Sequence, residues 1–407
     1  MISTQTKGAK QWSLARSTPK GLTGDGAAAE AMRQIDPDVV AAYPITPQTE
    51  IVERFAEFVA EGAVSTEFVA VESEHSALSA CCGAAASGAR AITCTASQGL
   101  ALMHEVLFIA AGQRLPIVMP VVNRNLSAPI NIHADHSDAM ASRDCGWVQI
   151  YCQDAQEVYD STIQAVRIAE HPDVLLPVMV CLDGFITSHS MERVEVLPDE
   201  VVKQFVGEYR GPYNLLDVDN PATVGILAGP PHLFEHKVGQ YQAMEPTTRV
   251  IREIGREFGE LSGRAYDLVE PHQMDDAEIA IVVMSTAAGT ARLAADRARA
   301  RGIKAGVLRI RSFRPFPMDE VVAQLSGKKV VAVLDRAAAP GAPGAPLFSD
   351  VRTALYDQSS RPNVVSYVFG LGGRDLTVDM VAEVFARLAA TGKTGGVPAR
   401  QYLGVRA

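Results

Sequence analysis

Residues 66–99 read TEFVAVESEHSALSACCGAAASGARAITCTASQG. A short apolar run, Phe68 to Val71, has the make-up of a strand and ends in the acidic turn Glu72-Ser73-Glu74-His75. Small residues from Ser76 to Gly88 follow at helical spacing, a composition that permits close packing against a sheet. A second apolar strand, Ala91 to Thr95, then leads into the turn Ser97-Gln98-Gly99. A strand that delivers a carboxylate to the start of a small-residue helix, beside a second strand and its turn, is how an α/β protein builds a site at its strand ends. Glu74 is therefore the first candidate for a functional side chain.

The same rhythm extends both ways. Upstream, Val39 to Tyr43 is expected as a strand, closed by Pro44-Ile45-Thr46-Pro47, and a helix runs from Glu50 to Glu61 with Ile51, Phe55 and Phe58 inward. Pro47 forces the preceding residue into an extended conformation, which fixes Thr46 at a strand end. Farther upstream, Gly21 to Gly26 enters a helix over Ala27 to Gln34; the spacing does not fit a dinucleotide fingerprint, and Arg16 to Pro19 makes a poor strand. Downstream, Ala101 to Ala111 is a helix and Leu115 to Val122 a strand that ends in Asn123-Arg124-Asn125. The guanidinium of Arg124 has the planar fork that suits a carboxylate. The loop 126–144 is long for an α/β connection and holds His133, Asp135, His136 and Asp138, so a substrate or subunit contact is expected there rather than a metal. Residues 196–202 and 208–212 read as surface loops or short elements, and a helix is expected over 240–257.

With 407 residues, two domains are expected. Residues 1–20 read as an N-terminal arm, 21–250 as the first domain, 251–274 as a linker and 275–407 as a smaller α/β domain with strands such as Ile279 to Met284 and Ala305 to Ile310. A stiff loop, 311–317, and a Gly/Pro/Ala-rich loop, 335–347, lie in the second. Hydrophobic content of 47% indicates a packed globular chain, and a net charge of -10 argues against nucleic acid as a partner. No apolar stretch is long enough to span a membrane. Six cysteines without a C-x-x-C pair read as buried free thiols in a reducing cytoplasm, with no metal site in this chain.

If Thr46, Glu74, Ser97 and Arg124 share one edge of a parallel sheet, they make a cleft with hydroxyls, a carboxylate and a guanidinium. No Cys-His or Ser-His-Asp arrangement accompanies them. Such a set cannot hydrolyse a substrate unaided, but it can orient a cofactor and polarise a ring nitrogen, an effect worth roughly 2–4 kcal/mol per well-placed group. A diphosphate-binding loop with a metal-chelating Asp/Asn pair is missing, so the other half of the site is expected on another chain.

Seven segments in order, YPITPQTEIVE (43–53), ESEHSA (72–77), TASQGLALMHEVLFIAAGQRLPIVM (95–119), LSAPINIHADHSD (126–138), SFRPFP (312–317), LDRAAAPGAPGAPLF (334–348) and FGLGGRDLT (369–377), resemble the alpha subunits of 2-oxoacid:ferredoxin oxidoreductases, in particular the pyruvate:ferredoxin oxidoreductase branch. The resemblance covers roughly residues 21–390. It implies an α/β fold with a thiamine-diphosphate-binding, pyrimidine-type parallel-sheet domain followed by a transketolase C-terminal-like domain. It also implies a beta subunit with the diphosphate and Mg2+ site, [4Fe-4S] clusters on partner subunits of gamma and delta type, ferredoxin as electron acceptor and coenzyme A as acyl acceptor, in a dimer of heteromeric units. By motif, Glu74 contacts the aminopyrimidine, Thr46 contacts substrate or cofactor, Ser97 lies at the cofactor, and Arg124 holds the oxoacid carboxylate. The asparagines beside Arg124 depart from the alanines of the family pattern. Within the family the substrate alternatives are 2-oxoglutarate, a branched-chain oxoacid and oxalate; outside it, a non-catalytic scaffold and a nucleotide-dependent enzyme remain.

Overall fold

The structure, a computed structural model, describes residues 12–391 and 400–406. In chain order the first half holds β1 (Thr18–Leu22), α1 (Gly24–Ile35), β2 (Val39–Ala42), α2 (Thr49–Ala60), β3 (Glu67–Ala70), α3 (Glu74–Ala86), β4 (Ala91–Ile92), α4 (Ser97–Leu102) and α5 (His104–Gly112). It continues with β5 (Val118–Asn123), α6 (Ser137–Ala141), β6 (Val148–Tyr151), α7 (Ala155–Glu170), β7 (Val178–Asp183), β8 (Glu192–Val196) and α8 (Asp199–Val206). Two helices, α9 (Pro230–Met244) and α10 (Thr247–Ser262), lead to β9 (Val269–His272), β10 (Ile279–Val283), α11 (Ala287–Arg299), β11 (Ala305–Ile310) and β12 (Ser312–Arg314). The last elements are α12 (Met318–Leu325), β13 (Val330–Asp335), α13 (Pro346–Leu355), β14 (Asn363–Phe369), α14 (Val378–Thr391) and β15 (Arg400–Leu403).

The first sheet has the order β12-β6-β7-β5-β4-β2-β3, parallel throughout except for β12 at its edge. The chain passes from β2 to β3 on one side and then returns to β4 on the other. That reversal opens a crevice beyond the carboxyl ends of β2 and β4, the place where open α/β sheets bind ligands. The second sheet has the order β15-β14-β13-β10-β11-β9, with β9 antiparallel at its edge.

Local sequence explains the helices that frame the crevice. Thr23 caps α1, its hydroxyl accepting from the Gly26 amide at 2.9 Å, and alanines let α1 pack tightly from residue 27 to 31. Ser73 caps α3 in the same way, so Glu74 becomes the first helical residue and its charge meets the favourable end of the helix dipole.

Several expectations need correction. Residues 18–22 do form a strand, because β8 pairs with them antiparallel and supplies the bonds that a lone Pro-containing segment lacks. Residues 1–11 lie outside the described residues. Ser97 to Leu102 is a helix rather than a turn, and of the expected loops or short elements, 196–202 falls on the end of β8 and the start of α8 while 208–212 is a loop. The expected helix over 240–257 is two, α9 and α10, meeting at Glu245-Pro246. Residues 251–274, expected as a linker, are structured: α10 buries Val250, Ile251, Ile254, Phe258 and Leu261 in the first core, and β9 completes the second sheet. Within the stiff loop 311–317, β12 crosses back to pair with β6.

The two halves are joined through one continuous core. Leu78, Leu107 and Trp147 share an apolar cluster with Leu308, Val333 and Phe348. A buried ion triad crosses the same seam: Glu157 on α7 accepts from Arg309 and, at 2.7 Å, from Arg311. Burial alone would raise the Glu157 carboxyl, but the two arginines outweigh it and hold it below its ordinary value.

Candidate functional site

The strands β3, β2, β4 and β5 are neighbours, and each carries one of the expected residues just past its carboxyl end. Glu74 follows β3, Thr46 follows β2, Ser97 follows β4 and Arg124 follows β5. The shared edge assumed from the sequence is the one the fold builds.

Arg124 and Thr46 are brought into contact. The guanidinium Nη1 of Arg124 donates to the Thr46 carbonyl at 2.7 Å, and its Nε donates to the Asn131 carbonyl at 3.0 Å. Both acceptors are neutral carbonyls, and among the described residues the guanidinium has no salt bridge and Nη2 has no partner. Burial lowers the Arg124 pKa from its ordinary value and outweighs the opposing pull of the Asp138 carboxylate. Thr46 itself is exposed at the rim. The flanking asparagines do not touch the guanidinium. Asn123 donates to Asp138 at 2.9 Å and Asn125 to Asp135 at 2.6 Å, so they brace the end of β5.

Glu74 is 6% exposed, and none of the hydrogen bonds among the described residues engages its carboxylate. It lies against Gly99. A Cβ built on that glycine would come within 2.7 Å of Glu74 Oε1 and 2.4 Å of Thr95 Oγ1. Only glycine admits this approach. The Thr95 hydroxyl is buried without a hydrogen-bond partner. A carboxylate and an unpaired hydroxyl, side by side in a crevice kept open by a missing side chain, fit the polar edge of a heteroaromatic ring.

Ser97 is the first residue of α4. Its side chain is fully buried, and its hydroxyl donates to the Asn125 carbonyl at 2.6 Å. With φ at +48°, it adopts a left-handed conformation that costs an L-residue about 1–2 kcal/mol. The strain persists because Asp138 Oδ2 accepts from the Ser97 amide at 2.9 Å and from the Arg124 amide at 3.0 Å. Asp138 thus ties the β4 turn to the end of β5. Burial pushes its carboxyl up to about 6, against the pull of those bonds. Sequence reasoning placed Asp138 only in a long contact loop. Its pairing with residues 14 and 41 positions away left no local signal.

The rest of that loop is a buttress. Asp135 accepts from the Gly372 amide at 3.2 Å. His136 bonds Asp183 at 2.7 Å, and Asp183 also accepts from the Thr286 hydroxyl and faces Arg336 at 3.4 Å. Burial would raise Asp183, yet Arg336 and His136 hold it far below the usual carboxylate range. Loop, first sheet and second domain are locked together behind the crevice.

All six cysteines are buried and free. No helix of the described residues is long and apolar enough to cross a membrane.

Residues 30–256 match the family described as pyruvate flavodoxin/ferredoxin oxidoreductase, thiamine diphosphate-binding, and residues 277–381 match pyruvate:ferredoxin oxidoreductase core domain II. The pyruvate synthase subunit PorA of Thermotoga maritima is 57% identical over 364 residues, which span 89% of this chain and 93% of that protein. The PorA of Methanocaldococcus jannaschii is 49% identical, over 90% of this chain and 93% of its own length. A ketoisovalerate oxidoreductase subunit VorA of Pyrococcus abyssi is 43% identical, over 92% and 95%. Among solved structures, a 2-oxoglutarate:ferredoxin oxidoreductase from Magnetococcus marinus superposes with a TM-score of 0.72 at 17% identity, covering 93% of this chain and 66% of that one. A split-gene transketolase shares the fold at a TM-score of 0.56 and 15% identity, covering 92% of this chain and 100% of that one.

Proposed function

The chain belongs to the pyruvate:ferredoxin oxidoreductase family, and from that premise we propose that it is the alpha subunit of a pyruvate synthase, the thiamine-dependent complex that converts pyruvate and coenzyme A to acetyl-CoA and CO2. Two electrons leave singly through [4Fe-4S] clusters to ferredoxin, and a sufficiently reducing ferredoxin runs the reaction backwards. The reading extends to a beta subunit that carries the diphosphate and Mg2+ site, partners of gamma and delta type, a dimer of heteromeric units and a cytoplasmic location. Residues 21–250 are taken as the pyrimidine-binding domain and 275–407 as the transketolase C-terminal-like domain, with β9 and β12 crossing at the junction.

One observation carries the mechanism: Glu74 and Thr95 stand together without partners against Gly99, at the topological switch point. When bound, thiamine diphosphate supplies the carbon nucleophile and the electron sink for loss of CO2. Glu74 would hold a proton at a ring nitrogen of the pyrimidine and so would polarise the ring for the chemistry that the cofactor supplies. Arg124 presents its uncommitted Nη2 edge to the oxoacid carboxylate, with its other nitrogens anchored on carbonyls so that the charge stays available. Thr46, at the rim, contacts substrate or cofactor through its hydroxyl. Ser97 acts by shape: its strained turn sets Gly99 under the Glu74 carboxylate. The buttress of Asp135, His136 and Asp183 closes the back of the crevice against water.

Pyruvate is the preferred substrate in this reading, on the strength of the PorA relatives at 57% and 49% identity. The test is CoA-dependent reduction of ferredoxin or viologen by the assembled complex with pyruvate, ketoisovalerate, 2-oxoglutarate and oxalate. The highest kcat/KM is expected for pyruvate. A higher value for ketoisovalerate would reassign the substrate, and no turnover with any oxoacid would leave a scaffold.

A further inference from the structure

On the same edge of the first sheet, away from the Glu74 crevice, three segments converge on a second polar cluster. Asp25, in the first turn of α1, is fully buried, and neither of its carboxylate oxygens has a hydrogen-bond partner. Glu50, in the first turn of α2, is half-buried, and His189 lies exposed beyond β7; one ligand atom from each of the three falls within 4.8 Å of the others. The His189 Nδ1 is 3.8 Å from Asp25 Oδ2.

Each member is held from behind. The Thr23 hydroxyl donates to Glu50 at 2.8 Å while accepting from the Gly26 amide, which fixes the Glu50 carboxylate over the start of α1. The amides of Gly24 and Asp25 donate to the carbonyls of Thr187 and Ser188, and this seats the β7 loop on the same helix end. The Phe185 ring lies 4.6 Å from the His189 ring, tilted by 43°. The Ser188 hydroxyl shares a hydrogen bond of 2.7 Å with Nδ1, a neutral contact that a cation can displace.

The charge balance is what points to a ligand. Two carboxylates face each other, and no lysine or arginine pairs with either among the described residues. An ionised carboxylate out of water needs a countercharge, or it keeps a proton. Asp25 is buried, Glu50 half-buried and His189 exposed, so the cluster runs from the interior to the surface.

We propose that Asp25, Glu50 and His189 form a binding site for a divalent transition-metal cation of the zinc class, separate from the cofactor's Mg2+ on the partner. Two carboxylates and an imidazole, with water for the remaining position, are a donor set that such ions accept. Binding would pin the N-termini of α1 and α2 to the β7 loop, only four residues along the chain from Thr46. The role is structural, bracing the rim without touching the reacting atoms.

The experiment uses the assembled complex loaded with thiamine diphosphate and Mg2+, exposed to Zn2+, desalted, and analysed for zinc by mass spectrometry beside its melting temperature. One zinc per alpha chain above the content of the Asp25→Asn and His189→Ala complexes is expected. Affinity should fall at least about 100-fold in Asp25→Asn, and Zn2+ should raise the melting temperature of the parent complex alone. His189 is exposed, so its alanine variant keeps the fold and the comparison valid. Equal zinc content and an equal thermal response in all three complexes would overturn the proposal. So would a parent complex that binds no zinc while Asp25→Asn is the more stable protein, since Asp25 would then simply hold a proton. Neither readout depends on turnover.

Discussion

Two buried polar regions of this molecule treat their charges in opposite ways. At the seam between the sheets, Glu157 meets Arg309 and Arg311, and Asp183 meets His136, Thr286 and Arg336. At the crevice, Arg124 rests on two carbonyls, and among the described residues the Glu74 carboxylate has no hydrogen bond and the Thr95 hydroxyl is unpaired. Glu157, Asp183 and Glu74 are all buried, so the difference lies in how each carboxylate is met. The seam satisfies its carboxylates, its unpaired atoms being on Arg309, Arg311 and Arg336, whereas the crevice leaves its carboxylate and hydroxyl open for something the described residues do not supply. Substitutions in the first should change stability, and those in the second should change turnover.

The largest effect is expected at the seam. Glu157→Ala leaves buried Arg311 without an anion and Arg309 with Glu270 alone, and should destabilise by about 3–5 kcal/mol, read by chemical denaturation of the complex. A loss below 1 kcal/mol, by the same measurement, would show the seam to be no tighter than a surface pair.

Next come two variants that separate the crevice from the seam. Gly99→Ala inserts a methyl where Glu74 Oε1 and Thr95 Oγ1 now sit. A displacement of the carboxylate by about 1 Å should lower kcat by roughly 100-fold, with assembly intact. Arg124→Ala removes a charged donor from the oxoacid and should raise KM by roughly 10- to 100-fold with a smaller change in kcat. Steady-state kinetics across pyruvate concentrations distinguish the two patterns. If both variants instead lose stability and keep their kinetics, the contrast between the regions fails.

The smallest effect concerns pH. Asp335 accepts from the Leu347 and Phe348 amides at 2.8 and 3.1 Å, but burial outweighs those bonds and pushes its carboxyl up to about 7. A carboxyl whose folded pKa is raised binds its proton more tightly when folded, so its contribution weakens as pH rises from about 4 to about 7. Asp335→Asn cannot titrate. Its melting temperature relative to the parent should therefore improve between pH 5 and pH 8. A constant difference across that range would remove Asp335 as the source.

Much of the crevice was legible because its parts are local. A strand ending in Glu74, a proline after Thr46 and an arginine closing a strand each announce themselves within a few residues, and parallel strands put such ends on one edge. Strand order was not legible, since it depends on the return from β3 to β4 past β2. Asp138 was missed as a tie because its partners, Ser97 and Arg124, lie far away in sequence. Ser97 looked like a ligand contact by position, and only its left-handed backbone and its bond to Asn125 reveal a shaping role. The crossings of β9 and β12 were hidden for the same reason: short edge strands take their identity from the neighbour that pairs with them.

The central claim is that Glu74 serves a ring rather than its own chain. Exchange of the C2 proton of thiamine diphosphate for deuterium, followed by quenched NMR on the assembled complex, tests it most directly. Glu74→Gln should retain the cofactor and the subunits yet slow the exchange by about 100- to 1,000-fold. Exchange at the parental rate in a Glu74→Gln complex that still binds the cofactor would contradict the account.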